Sequence, residues 1–182
     1  TRYVIEAGLV DQSDVSFNVP AGRIEAHAHR ADGRIVHTSF RNVPSFVYRR
    51  DEELDIEGFG NVRFDVAYGG AFYALLDART LGLALTSAHF MRLIDAGRRI
   101  KRAVMEPMPM EHPFERDLSF LYGTIFVGLP HDPGHHSRNV CIFADGEVDR
   151  SPTGSGISAR AALHHARGEL AANETITVES IL

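Results

Sequence analysis

Apolar and polar residues alternate through the first third of the chain, the two-residue period of strands half-buried in a sheet. "DVSFNVPAGRIEAHAHR" alternates about Pro20-Ala21-Gly22 and predicts a hairpin. Asp32-Gly33 predicts a second turn, into "RIVHTSFRNVPSFVYRR". Pro44 there either ends the first strand of the pair or lies at an edge. "NVRFDVAYGGAFYALLDA" holds two apolar runs separated by Gly69 and Gly70. Paired glycines predict a tight turn, or backbone that must come close to another group. The period then lengthens. Thr86 or Ser87 can cap a helix over 88–106, in which Phe90, Leu93, Ile94, Gly97, Ile100 and Val104 share one face. The three prolines of "EPMPMEHPF" end it. "LSFLYGTIFVGL" and "RNVCIFADG" predict strands, "DRSPTGSGISARAALHHARG" a helix closed by Gly168, and "ETITVESIL" a last strand. The fold class is α+β: a curved, mostly antiparallel sheet around one long helix, with a second helix near the end.

The ends interrupt elements. "TRYVIEAGLV" reads as the last turns of a helix stopped by Gly8, and the final strand stops in mid-pattern. The expectation is therefore a fragment: residues 1–182 as one domain of a two-domain protein. Residues 1–8 would close a helix of the other half, and 175–182 would lead back to it. A complete domain with frayed ends is the alternative.

An apolar fraction of 44% and a charged fraction of 24% are those of an ordinary soluble protein. The net charge of −5 argues against nucleic acid as a partner, and no basic run favours a membrane surface. No apolar stretch is long enough to span a bilayer. With one cysteine and no signal peptide, a reducing, cytoplasmic setting is expected. Cys141, inside "VCIFA", reads as an inert buried thiol. His27 and His29 point to one face of a strand without a third ligand. His131, Asp132, His135 and His136 lie in a Pro/Gly loop without Cys partners. A solvated surface is the better reading of both, so no metal is expected.

The chemistry gathers in "DRSPTGSG". Pro152 suits the residue before a helix, and Thr153, Gly154 and Ser155 fall at its start. The first amides of a helix have no internal acceptors and carry the positive end of its dipole, so a carboxylate fits there. Asp149, just upstream, can accept from a ligand's ammonium or ring imine. Together they match a small imino acid in its zwitterionic form. The alternative is a plain capped helix, with Asp149 bonded to its own turn.

These residues, with "SAR" behind them, and with "FDVAYGGAFYALL", "NVPSFV" and "DLSFLYGTI" in order along the chain, resemble the proline racemase family. The resemblance implies two similar halves of the diaminopimelate-epimerase type. Each half presents a helix start to the substrate carboxylate at their interface. One half carries a Cys-Gly-His motif, and the other a Cys within Asp-Arg-Ser-Pro-Cys-Gly. Cys-Gly-His is absent here, and the second cysteine position is Thr153. Racemisation needs an acid and a base on opposite faces of Cα, and a thiol serves as either near neutral pH. A threonine hydroxyl is too weak an acid, so one face loses its partner. One base still suffices if the carbanion expels a 3-hydroxyl.

The branch with Thr at this position resembles trans-3-hydroxy-L-proline dehydratase, which yields Δ1-pyrroline-2-carboxylate without a cofactor. By that resemblance Asp149 holds the substrate nitrogen, and the Gly154 and Ser155 amides hold the carboxylate. Thr153 sits near the ring, and the base is a cysteine outside this chain. Tyr68 and Phe72 are candidates for the pocket wall, with core packing the stronger reading. A proline racemase or hydroxyproline 2-epimerase is the first rival, and an amino-acid-binding domain without catalysis the second. The fragment alone is expected to be inactive. A homodimer stays open.

Overall fold

Asp32 and Gly33 take φ of 50° and 76°, the left-handed pair that a two-residue hairpin turn demands. They stand in a computed structural model that describes residues 1–182, divided into two compact units, Thr1–Pro44 and Ser45–Leu182. In the first unit a short helix α1 (Arg2–Glu6) precedes β1 (Asp14–Val19), β2 (Gly22–Ala31) and β3 (Arg34–Arg41). The strands form one antiparallel sheet in that order, its first turn at Pro20-Ala21. The hairpins bury Ile5, Val15, Ala28 and Ile35 among themselves. This unit carries a small core of its own. Pro44 lies beyond β3, at the end of the first unit.

The second unit contains β4 (Phe46–Ile56), β5 (Gly60–Tyr68), β6 (Phe72–Asp77), α2 (Phe90–Met105), β7 (Leu121–Gly128), β8 (Ser137–Phe143), β9 (Glu147–Val148), α3 (Gly154–Ala166) and β10 (Val178–Glu179). Its seven-stranded open sheet runs β10-β8-β7-β6-β5-β4, with β9 also on β8. Most neighbours are antiparallel. The β6–β7 pair is parallel, because the connection between them carries α2 as a crossover. A single turn of 3₁₀ helix over Ser87–His89 leads into α2. The face that α2 buries is Leu93, Ala96, Gly97, Ile100 and Val104, close to the predicted stripe. No helix is long and apolar enough to cross a membrane.

The two helices lie on opposite faces of the sheet. Thr124 donates to the Gly97 carbonyl of α2 at 3.2 Å, whereas a Cβ on Gly156 of α3 would overlap Ile125 Cδ1. Consecutive strand residues point to opposite faces. On the α3 side, Ala67, Tyr73, Leu75, Ile125, Cys141, Ala159 and Leu163 form one core. The small residues of α3 permit close approach. A Cβ on Gly69 would overlap the Ser155 carbonyl oxygen and stand 2.5 Å from the Ala159 nitrogen.

The last strand is shorter than the alternation of "ETITVESIL" predicts. Only Val178 and Glu179 pair, parallel to β8. Glu179 instead organises the 131–136 loop. Its carboxylate accepts from the His131 and Asp132 amides at 2.7 and 2.8 Å and from Arg138 at 2.8 Å, and His135 Nδ1 lies at 2.9 Å. These contacts hold the carboxyl near a pKa of about 2, the two backbone amides contributing most. The loop histidines therefore surround a carboxylate.

The glycine contacts set an order of stabilities. Gly69→Ala, which meets backbone, should destabilise by about 1–3 kcal/mol. Gly156→Ala meets the far end of an isoleucine side chain that can rotate, and should cost less. Urea denaturation of the two variants checks the ranking, and equal or reversed losses would refute the backbone contact.

Candidate active site

β9 brings the chain back beside β8, where the Asp149 amide donates to the Cys141 carbonyl at 3.1 Å. A turn follows that is closed by side chains. Asp149 Oδ1 accepts from the amide and the hydroxyl of Ser151, both at 2.9 Å. The Thr153 amide donates to Ser151 Oγ at 3.0 Å, and the Thr153 hydroxyl donates to Asp149 Oδ2 at 2.8 Å. Asp149 is thus bonded to its own turn, as the plain-cap reading has it. Three of the roughly four acceptor positions of its carboxylate are used, which leaves one for a ligand.

Thr153 is the residue before the helix, with φ 66° and ψ 91°. A β-branched residue at positive φ is a backbone outlier, and such strain gathers at functional sites. Its side chain caps no helix amide. It is 6% exposed and lies against Gly156. The first bond of α3 runs from the Ile157 amide to the Thr153 carbonyl at 2.8 Å. The Gly154, Ser155 and Gly156 amides therefore precede any acceptor in their own helix. Gly154 is exposed, Ser155 is half-buried and Gly156 is buried. The opening is at Gly154 and Ser155, while Gly156 is small in order to pack.

Tyr68 and Phe72 lie in the core. Tyr68 pairs with Phe72 and Ala67 with Tyr73, so Tyr68 and Phe72 face away from the α3 core. They are buried with Phe46 and His112 in an aromatic cluster, ring centroids 4.7 to 6.3 Å apart. Tyr73, one position on, meets the site instead. Its hydroxyl lies 2.7 Å from Ser155 Oγ. Burial drives the Tyr73 pKa far up, so the phenol stays protonated. Tyr122 stands edge-on to Tyr73 at 5.7 Å and stacks on Phe143 at 5.3 Å. Alternation within β6 sets Tyr73 on the face opposite Phe72, but both faces of that strand are apolar, so the sequence does not say which of them meets α3. Tyr122 lies in a quoted motif, but nothing in its spacing marks a wall.

Cys141 lies in the strand beneath the turn. Burial pushes its thiol up to about 12, a hydrogen bond with Thr153 opposing and the Asp149 charge adding to the rise. A neutral buried thiol is neither base nor nucleophile. In the 182-residue chain, a thiol reagent at about pH 8 should leave Cys141 unmodified until denaturant is added. Rapid labelling of the native chain would show the thiol to be accessible and ionised.

The arrangement can hold a carboxylate on the α3 amides and a cation on Asp149, beside a hydroxyl rather than a thiol. The sequence model of the family described as proline racemase matches residues 1–182. A trans-3-hydroxy-L-proline dehydratase of Colwellia psychrerythraea is 50% identical over 186 residues, covering 100% of this chain and 52% of that protein. A 3-hydroxyproline 2-epimerase of Burkholderia multivorans is 42% identical over 95% of this chain and 52% of its own length. The crystal structure of a hydroxyproline epimerase from Agrobacterium vitis, with bound trans-4-hydroxy-L-proline, superposes with a TM-score of 0.91 at 34% identity. It matches over 99% of this chain and 53% of its own. The chain spans about half the length of the curated relatives it matches.

Proposed function

The chain belongs to the proline racemase family, and on that premise we propose that it supplies one wall of an enzyme that dehydrates trans-3-hydroxy-L-proline to Δ1-pyrroline-2-carboxylate. One observation carries the reading: a threonine, held by Asp149, occupies the helix mouth where the family resemblance places a second catalytic cysteine. In this reading a cysteine outside residues 1–182 takes the α-proton. The electron pair of that C–H bond becomes the Cα=C3 double bond as the C3–O bond breaks. The hydroxyl leaves as water after gaining a proton, and the enamine tautomerises to the cyclic imine.

The residues of this chain bind and orient. The Gly154 and Ser155 amides take the carboxylate, aided by the helix dipole. Asp149 takes a substrate N–H on its remaining lone pair. The Thr153 hydroxyl stays on Oδ2 of that carboxylate, beside the ring. Tyr73 fixes Ser155 and closes the floor. No thiolate is available on this face, since Cys141 is neutral and buried. Proton return to Cα from this side therefore fails, and elimination prevails over inversion.

The likeness to an epimerase at 42% identity keeps inversion as the second reading. The two separate in D₂O with the full-length protein. Dehydration gives the imine and no epimer, whereas epimerisation gives a 2-deuterated ring with the hydroxyl retained. Epimer without water loss would overturn the proposal. Asp149→Asn should lower kcat/KM by about 10- to 100-fold, the worth of a charged hydrogen bond. Thr153→Cys should slow dehydration and bring in deuterium exchange with epimer, and an unaltered product ratio would deny Thr153 its role.

A further inference from the structure

Arg160 is a buried cation without a carboxylate. It lies on α3 at 2% exposure, and burial lowers its pKa to about 10. Its guanidinium donates to Asn139 Oδ1 and to Ser137 Oγ, both at 2.7 Å. Leaving a charge in the interior with only neutral acceptors is costly, and such groups gather where their hydrogen bonds fix a geometry. The second half of the Asn139 amide shows which geometry. Its Nδ2 donates to the Pro152 carbonyl at 3.0 Å. Pro152 immediately precedes Thr153, the strained residue that opens the helix mouth.

The two bonds of Asn139 are not interchangeable. A guanidinium has five donors and no acceptor, so only the oxygen of the amide can face it. That forces the NH₂ end toward Pro152. A lone asparagine at this place could turn over and set a carbonyl against a carbonyl. Arg160 selects the orientation that grips the turn. Cooperative polarisation through the amide strengthens the second bond. Pro152 has no N–H, so this carbonyl is its one main-chain handle.

Resting on the proposed reading of the site, we propose that Arg160 and Asn139 are positioning residues. Through the chain Arg160–Asn139–Pro152 they hold Thr153 at positive φ and aim the Gly154 and Ser155 amides at the substrate carboxylate. Neither touches substrate. The turn thus has two clamps: Asp149 and Ser151 from its own residues, and Asn139 from β8. The outer clamp is partly exposed and is shared with the ligand when Asp149 takes the substrate nitrogen. The inner one is anchored on Asn139, which is fully buried, and it keeps the mouth in place while Asp149 takes the substrate nitrogen.

The test uses the full-length protein and Asn139→Asp. This change keeps an acceptor for Arg160, in a charged pair, and sets a carboxylate oxygen against the Pro152 carbonyl where the donor stood. Folding should survive, with the circular dichroism spectrum of the wild type and a lower melting temperature. Hydrogen–deuterium exchange across 150–158 should quicken. Calorimetric affinity for L-proline, which has no 3-hydroxyl to lose, should fall about tenfold, and KM should rise as much with kcat less altered. Ser137→Ala removes the other acceptor of Arg160 and leaves the relay whole, so it should change neither exchange nor KM.

Unchanged exchange and unchanged L-proline affinity in Asn139→Asp would overturn the proposal. So would equal effects from Ser137→Ala, which would assign the loss to satisfaction of a buried charge in general. Exchange makes no assumption about substrate. If 150–158 loosens as expected while the wild type fails to dehydrate trans-3-hydroxy-L-proline, the functional reading alone is lost.

Discussion

The backbone of α3 rests directly on the turn between β5 and β6, with no side chain between them. Gly69 permits that approach, since any Cβ there would strike the Ser155 carbonyl oxygen and the Ala159 nitrogen. Contact between main chains leaves no freedom of rotamer, so it sets the height of the helix start relative to the sheet. The position of Ser155 over Tyr73, the packing of Gly156 against Ile125 and the burial of Arg160 all follow from that height. A helix raised by one side chain would lose all three at once.

With the helix fixed, the turn before it must cover a set distance in few residues, and it does so under strain. Thr153 takes a backbone conformation that β-branched residues avoid, at an expense of about 1–3 kcal/mol that the surrounding bonds must offset. Three hydrogen bonds to Asp149 and one to Ser151 do so from within, and one from Asn139 does so from the strand. The geometry that results leaves the Gly154 and Ser155 amides ahead of the first acceptor of their own helix. Strain here is tied to use, because a relaxed cap would turn a threonine hydroxyl onto those amides and close them.

Chemical silence is also built in. A thiol lies beside Thr153, yet burial raises Cys141 to about 12 and removes it from acid–base chemistry at ordinary pH. Tyr73 and Tyr122, the aromatic groups at this end of α3, are likewise raised by burial and stay neutral. Asp149 brings a carboxylate to the turn before the helix. In the proposed reading such a face would bind a zwitterion and leave proton removal to a group on another surface, the asymmetry that would favour elimination over inversion.

Period and punctuation along the sequence determined the hairpins, the stripe of α2, the α+β class and the helix opening at residue 153, because these depend on neighbours in the chain. Proline and glycine mark turns wherever they stand, and a strand or helix declares its buried face by its own spacing. The sequence also placed Asp149, Thr153, Gly154 and Ser155 at one mouth, since they lie within seven residues of one another. It did not show that Tyr73, rather than Tyr68 and Phe72, meets Ser155. That required β6 to lie under α3 with one particular face up, and both faces of this strand are apolar. Nor did it show the small separate core of residues 1–44, the shortness of β10 or the relay through Arg160. Each joins segments distant in sequence, and a charged residue on a helix predicts solvent until the tertiary fold closes over it.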